Sequence, residues 1–307
     1  MLKYIIKRIF YMLITLFIII TATFFMIHSI PGDPLSYLAK NLPQQTMENY
    51  YKKYGLDKSK PEQYAIFMKN LAKGDLGESL RYPGRSITDT VATNSVVSGK
   101  TGGAALFIGF VVGVSLGIIA ALNRNRWPDY IVMFVAIVGT TIPVFVMCAL
   151  LQYALTVKIP VLPTTGWGKA SHMVLPVIAL SFGVIATYAR YMKSSVLEVN
   201  NQDYILTAQA KGVSSFRIVT DHIIKNAILP CVTMLGPRIA GIFTGSFVVE
   251  KIFAIPGLGF YYVNSINDRD YSMILGITVF YAALFVIVQL LVDILYVFID
   301  PRIRITD

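Results

Sequence analysis

Charge is scarce in this sequence. Only 14% of its 307 residues are Asp, Glu, Lys or Arg, where a soluble domain carries about 25%. A shortage spread along the whole chain excludes an ordinary water-solvated globule and points to a bilayer as solvent. Cysteine is nearly missing too. Cys148 and Cys231 both sit in apolar runs, which excludes a disulfide framework or cysteine metal motif and leaves packing as their role. The histidines, His28, His172 and His222, are too far apart in sequence to argue a metal site. Acidic residues almost vanish from the expected spans, where Asp293, directly after the last apolar run, stands alone. That counts against an ion-coupled carrier, a class that shows intramembrane carboxylates and inverted repeats. The balance of 27 Lys and Arg against 17 Asp and Glu gives a net charge of +10. The basic residues fill gaps between apolar runs rather than forming one patch, so an anionic membrane face accounts for them better than nucleic acid.

What is abundant is uninterrupted apolar sequence, and the mean hydropathy is +0.61. Five runs lack Asp, Glu, Lys and Arg: Ile9–Ile30, Gly102–Leu122, Tyr130–Val157, Met173–Ala189 and Ser272–Val292. A sixth, Ala227–Val249, is broken only by Arg238. About 20 apolar residues cross a bilayer as a helix, and lipid gives an open strand no hydrogen-bond partner. The expected fold is therefore an all-α membrane protein with six transmembrane helices. The first run exceeds a signal-peptide core of about 7–15 residues and has no small-residue cleavage site after it, so it reads as a retained span. With the N-terminus inside, the inner segments 1–8, 123–129, 190–226 and 300–307 hold 3, 2, 5 and 2 basic residues, while the short outer loops 158–172 and 250–271 hold two each. That asymmetry predicts both termini in the cytoplasm.

Residues 31–101 are expected to form a small external domain between helices 1 and 2, after residues 1–30 and before a five-helix core over 102–307. Helices are expected near Gln45–Tyr54, stopped by Gly55, and from about Pro61 to before Gly74, followed by a turn at Gly74-Asp75-Leu76-Gly77. A docking surface or lid is the functional reading of this segment. Ser98-Gly99-Lys100-Thr101 looks like part of a phosphate-binding loop, but Asn94 stands where that loop needs glycine, and no strand precedes it. The chain thus shows no ATPase machinery of its own.

The inner loop 190–226 is too long for a simple turn. Gln202 and Asp203 suit a helix start, Lys211 a last turn and Gly212 the position beyond the end. So short a helix is not stable alone in water. Its exposed faces are expected to carry Tyr204, Ile205 and Ala208, and a cytoplasmic partner protein is expected to cover them. Ser214 or Ser215 caps the next helix, which runs toward the fifth span.

Here the sequence resembles the permeases of the oligopeptide, dipeptide and nickel branch of bacterial ABC importers. The resemblance rests on Leu197-Glu198, Asp203-Tyr204 and Thr207-Ala208-Gln209-Ala210-Lys211-Gly212. It extends to Pro31-Gly32-Asp33-Pro34, Gly74-Asp75-Leu76-Gly77-Glu78-Ser79, Ile255-Pro256-Gly257-Leu258-Gly259, Arg269-Asp270-Tyr271 and Asp300-Pro301-Arg302. It covers essentially the whole chain. Position 206 is Leu where the generic importer signature has glutamate, so no carboxylate is assigned there. The large first external loop is similar to that of one member of the paired oligopeptide permeases.

The resemblance implies a type I importer permease fold in the bacterial cell membrane, without catalytic residues, metal or cofactor. Glu198, Asp203, Tyr204, Thr207, Ala208, Ala210, Lys211 and Gly212 would couple it to an ATPase. The implied partners are a second permease subunit, two ATP-binding cassette subunits, an extracytoplasmic peptide-binding protein, the peptide and membrane lipid, with no nucleic acid. Import of nickel, dipeptides or another small chelate by the same fold is an alternative, and a stand-alone secondary carrier is the competing class. Arg238 has two readings, a pore-lining cation for a peptide carboxylate or a structural partner of Asp293. Gly241 and Gly245 would permit close packing of the fifth span, and Pro143 and Pro176 would kink theirs.

Overall fold

The structure, a computed structural model, describes residues 2–31, 35, 43–243 and 247–299. Gly32-Asp33-Pro34, Gly245, the side chain of Asp293 and Asp300-Pro301-Arg302 lie outside the described residues. The chain divides into two compact units, residues 1–97 with 256–307 and residues 98–255.

In the first unit, α1 (Leu2–His28) follows the first apolar run. Two short helices come next, α2 (Gln44–Tyr54) and α3 (Lys60–Leu71). Gly55 ends α2 at φ +67°, a left-handed conformation that costs glycine nothing. At the start of α3 the Glu62 carboxylate accepts the Ser59 N–H at 3.0 Å and its hydroxyl at 2.8 Å, and Pro61 sits in the first turn. Beyond it, Gly74 and Gly77 take positive φ, and Gly77 N–H donates to Asp75 Oδ1 at 2.8 Å. After residues 98–255, which belong to the second unit, the first resumes with α12 (Leu258–Asn267) and α13 (Tyr271–Ile299). Ile20, Phe24 and Ile27 of α1 pack with Leu275 and Val279 of α13, with Phe67 of α3 alongside. The central helix α4 (Ile87–Leu122) begins well before its apolar run at Gly102. At about 54 Å it exceeds the roughly 30 Å hydrocarbon core. Ser98–Thr101 lies inside this helix, so the fragment is no loop at all.

The second unit holds the rest of α4, α5 (Trp127–Thr141), α6 (Val144–Gln152, continued as a π-turn over Tyr153–Lys158) and α7 (Ala170–Asn200). The run Tyr130–Val157 is not one helix. α5 and α6 meet at a 106° bend. Pro143 drives Ile142 into an extended conformation (φ −76°, ψ 120°), which ends α5. Pro176, by contrast, sits inside the continuous α7.

The expected unbroken helix over Ala227–Val249 is also divided. After α8 (Asp203–Ala210) it forms α9 (Lys225–Thr233) and α10 (Leu235–Phe243), and α11 (Phe247–Ile252) is described beyond residues 244–246. The break between α9 and α10 has a plain cause: Pro237 lacks an N–H and its ring clashes with the carbonyl four residues back, which belongs to Thr233, the last residue of α9. Among the described residues four helices are long and apolar enough to cross a membrane, or five if the bent pair α5–α6 is one span.

Candidate functional site

The loop 190–226 is the most informative surface. Helix α8 covers Asp203–Ala210, with Gln202 as its N-cap residue and Asp203 in the first turn near the positive helix end. Thr207 Oγ1 donates to the Asp203 carbonyl at 3.0 Å. At the other end Gly212 N–H donates to the Gln209 carbonyl and Val213 N–H to that of Ala208. These two bonds form a Schellman termination, and Gly212 supplies the required positive φ of 73°.

Two side chains anchor the helix. Ile205 is fully buried and Ala208 nearly so, packed with Val196, Ile218 and Ile223. This corrects the expectation that both are exposed: three residues apart, they share one face, and that face closes on the molecule's own core. Ala208 therefore belongs to the seat of α8 rather than to its open side. Asp203, Tyr204, Thr207, Ala210, Lys211 and Gly212 are all exposed, as is Glu198 in the last turns of α7. So are large apolar groups, with Leu206 59% and Phe216 77% accessible. Ser214 precedes the next helical segment (Ser215–Arg217) but makes no side-chain cap bond. That segment runs on as a π-turn, Ile218–Ile224, into α9.

The seat of α8 is continuous with α7, which only two residues separate from it. α7 in turn is gripped from two sides. On one, Lys193 Nζ meets Asp129 Oδ1 at 2.5 Å, and Asp129 Oδ2 accepts the Asn125 N–H at 3.1 Å. On the other, Gly109, Gly113 and Gly117 of α4 face α7. A Cβ at Gly113 would lie 2.8 Å from the Ile185 carbonyl oxygen, and one at Gly117 2.6 Å from that of Ala189. Backbones this close leave room for hydrogen alone. The sequence signal for this contact was the spacing of three glycines by four, one helical turn each. The glycine expected to pack closely, Gly241, has no described atom from outside its own stretch of helix within 4 Å of where its Cβ would be.

Arg238 lies on α10 and is exposed, with Nη2 donating to Thr187 Oγ1 of α7 at 3.3 Å. Its sequence-proposed partner Asp293 has no described side chain. A buried carboxylate that sequence reasoning passed over is Glu250, which accepts the Ser98 hydroxyl at 2.7 Å.

In the first unit, two motif segments far apart in sequence meet at Asp270. This buried carboxylate accepts the Ser79 hydroxyl, and its Oδ1 accepts the N–H groups of Leu80 and Met273, each at 3.2 Å. Burial pushes its pKa above the usual carboxylate value, against the opposing pull of these hydrogen bonds. Nearby, Tyr82 OH donates to Asp268 Oδ2 at 2.9 Å. Each motif segment was readable alone, but no local pattern in either announces the other as its partner.

Comparison with known proteins gives full-length relatives. Residues 113–305 match the family described as binding-protein-dependent transport system inner membrane component. Residues 1–83 match its N-terminal companion, the binding-protein-dependent transport system membrane component, N-terminal region. The dipeptide transport system permease protein of Bacillus subtilis is 42% identical over 304 residues, covering 99% of this chain and 98% of its own. The oligopeptide transport system permease proteins of Haemophilus influenzae and Escherichia coli K12 are 41% and 42% identical, each over 99% of this chain and 100% of theirs. The chain belongs to the family of inner membrane components of binding-protein-dependent transport systems, multi-pass proteins of the cytoplasmic membrane.

Proposed function

We propose that this chain is one permease subunit of an ATP-driven importer of peptides, forming half of the pore. One observation carries the reading: α8 is anchored by two buried residues yet leaves its outward face uncovered, in a chain similar over its full length to dipeptide and oligopeptide permeases. In this reading the open face, with Asp203, Tyr204, Thr207, Ala210, Lys211, Gly212 and the neighbouring Glu198, docks into one of two ATP-binding cassette subunits. Ala208 contributes from beneath by holding the helix on its seat. ATP hydrolysis takes place in those partners, and this chain breaks no bond.

The mechanism is alternating access. Closure of the ATPase pair moves α8 as a rigid piece, α7 carries the displacement into the membrane, and the spans tilt to open the pore to a peptide delivered by an extracytoplasmic binding protein. A second permease subunit completes the pore. Arg238 is exposed on this chain, at a depth where an unpartnered cation costs roughly 2.5–3.5 kcal/mol on insertion scales, so a watery pore suits it and can offer it a peptide carboxylate. Six spans with both termini inside follow if α5–α6 and the divided α9–α11 each count as one crossing. Residues 31–101 then form the external segment and 190–226 the cytoplasmic coupling loop.

The test is a mild-detergent pull-down of the tagged chain with an ATPase assay, followed by uptake of labelled peptide in vesicles holding the complex. Recovery of a second permease, cassette subunits and ATP-dependent peptide uptake supports the reading. A lone chain without ATPase, under conditions that keep comparable complexes whole, overturns it. Nickel uptake in place of peptide overturns the cargo and leaves the importer.

A further inference from the structure

We infer that the first unit holds a binding site for an anionic phospholipid. The site is a cavity of about 610 Å³ between the end of α1, the helices α2 and α3, and the start of α13, within the roughly 300–1,000 Å³ of ligand pockets. Its accessible apolar lining is Ile30 just past α1, Ile66 and the half-buried Phe67 of α3, over a floor of Phe24, Ile27 and Leu275 that is already closed by packing. The floor residues belong to the ends of two long apolar helices, so the cavity opens where the protein leaves the hydrocarbon.

The rim has the opposite character. Lys52, Lys53, Lys58 and Lys60 surround a single acid, Glu78. Lys53 Nζ meets Glu78 Oε2 at 2.6 Å, and Lys60 Nζ donates to the His28 carbonyl at 2.7 Å. Lys52 and Lys58 are exposed and make no side-chain hydrogen bond or ion pair among the described residues, with Lys58 acting on Glu62 only through its field. Two uncommitted ammonium groups above an apolar wall suit an occupant with an anionic head and a hydrocarbon tail. Tyr51, Tyr54 and Tyr271 line the same cavity, and tyrosine is the side chain that favours the level of lipid headgroups.

Three features favour a lipid over other anions. Ile30 lines the cavity while remaining exposed, close in sequence to the exposed Met26 on α1, so an acyl chain has an apolar way in from the bilayer. Free phosphate would leave Ile30, Ile66 and Phe67 unused. A peptide would bring its own ammonium to a rim of four lysines and one carboxylate.

The test uses the full chain purified in its membrane complex, stripped by stepwise detergent washing and analysed by native mass spectrometry for retained phosphatidylglycerol. Wild-type protein is expected to retain it, with phosphatidylcholine failing to compete. The double variant Lys52→Gln with Lys58→Gln is expected to lose at least about tenfold in retention, and Lys52→Arg with Lys58→Arg to keep it. Ile30→Glu, an exposed change at the lip, is expected to lower retention too. Equal retention by the glutamine variant, equal retention of phosphatidylcholine, or displacement of the lipid by inorganic phosphate or by peptide would each overturn the assignment. Because the readout is bound lipid, it fails or succeeds whether or not the chain transports peptide.

Discussion

Asp270 shows how one side chain can hold two distant stretches of sequence. Asp270→Ala would strand the Ser79 hydroxyl and two backbone N–H groups, at a cost of about 1–3 kcal/mol for each buried group left unsatisfied. Asp270→Asn keeps an acceptor and should cost less, as read by thermal stability of the purified complex. The pH dependence has a definite sign. Because the folded pKa is raised, the carboxyl's contribution is fully present below its unfolded value near 3.8 and is lost as pH rises through the folded value. Amide exchange around residues 79–82 should therefore slow as pH falls into that window, after correction for the intrinsic rate, and the Asn variant should lose this dependence. Glu78, held below its ordinary pKa chiefly by the hydrogen bond from Lys53, contributes with the opposite sign and only below about 4.5, so comparison of wild type with Asp270→Asn separates the two. The glycines give a second contrast at this scale. Gly113→Leu drives a side chain into the α7 backbone, an overpacking worth about 1–3 kcal/mol or more, and should lower the yield of assembled complex. Gly241→Ala, with open space around it, should leave assembly unchanged.

Helices α7 and α8 make the next set of expectations. Phe216→Arg or Leu206→Arg alters an exposed group, so the chain should still fold while co-purification of ATPase subunits drops. Asp129→Asn removes the partner of a half-buried Lys193; uncompensated, such a charge costs up to about 3 kcal/mol. Peptide uptake per ATP hydrolysed should fall, and the exchanged pair Asp129→Lys with Lys193→Asp should recover part of it. The end of α2, the start of α3 and the end of α8 were legible in sequence because Gly55, Pro61 and Gly212 each impose a local geometry that nothing distant overrides. The breaks at Pro143 and Pro237 were less legible. A proline inside an apolar run can kink a helix or end it, and the outcome depends on neighbours that hydropathy does not contain. The seat of α8 was hidden for the same reason: Ile205 and Ala208 are apolar on either reading, and only tertiary packing decides which face closes.

For the whole molecule, hydropathy located the apolar segments, since lipid constrains them more strongly than any partner does. How the segments group is another matter. The first unit joins residues 1–97 to 256–307, a pairing of chain ends that no local periodicity encodes. Single cysteines offer a check on orientation in a background freed of Cys148 and Cys231. A cysteine at Lys211 should react with an impermeant maleimide only from the cytoplasmic side, and one at Arg85 only from the outside. Labelling of both from one side would overturn the proposed topology.

The glycine contact between α4 and α7 has a mechanical consequence. Where two rods touch backbone to backbone, as at Gly113 and Gly117, they resist sliding past each other like the layers of a laminated beam. Rotamer changes, which would absorb a push at an ordinary leucine seam, have nothing to act on at Gly109, Gly113 and Gly117. In the proposed mechanism a displacement of α7 would be shared with α4 along this seam, and stiffness here is a property obtained by leaving side chains out.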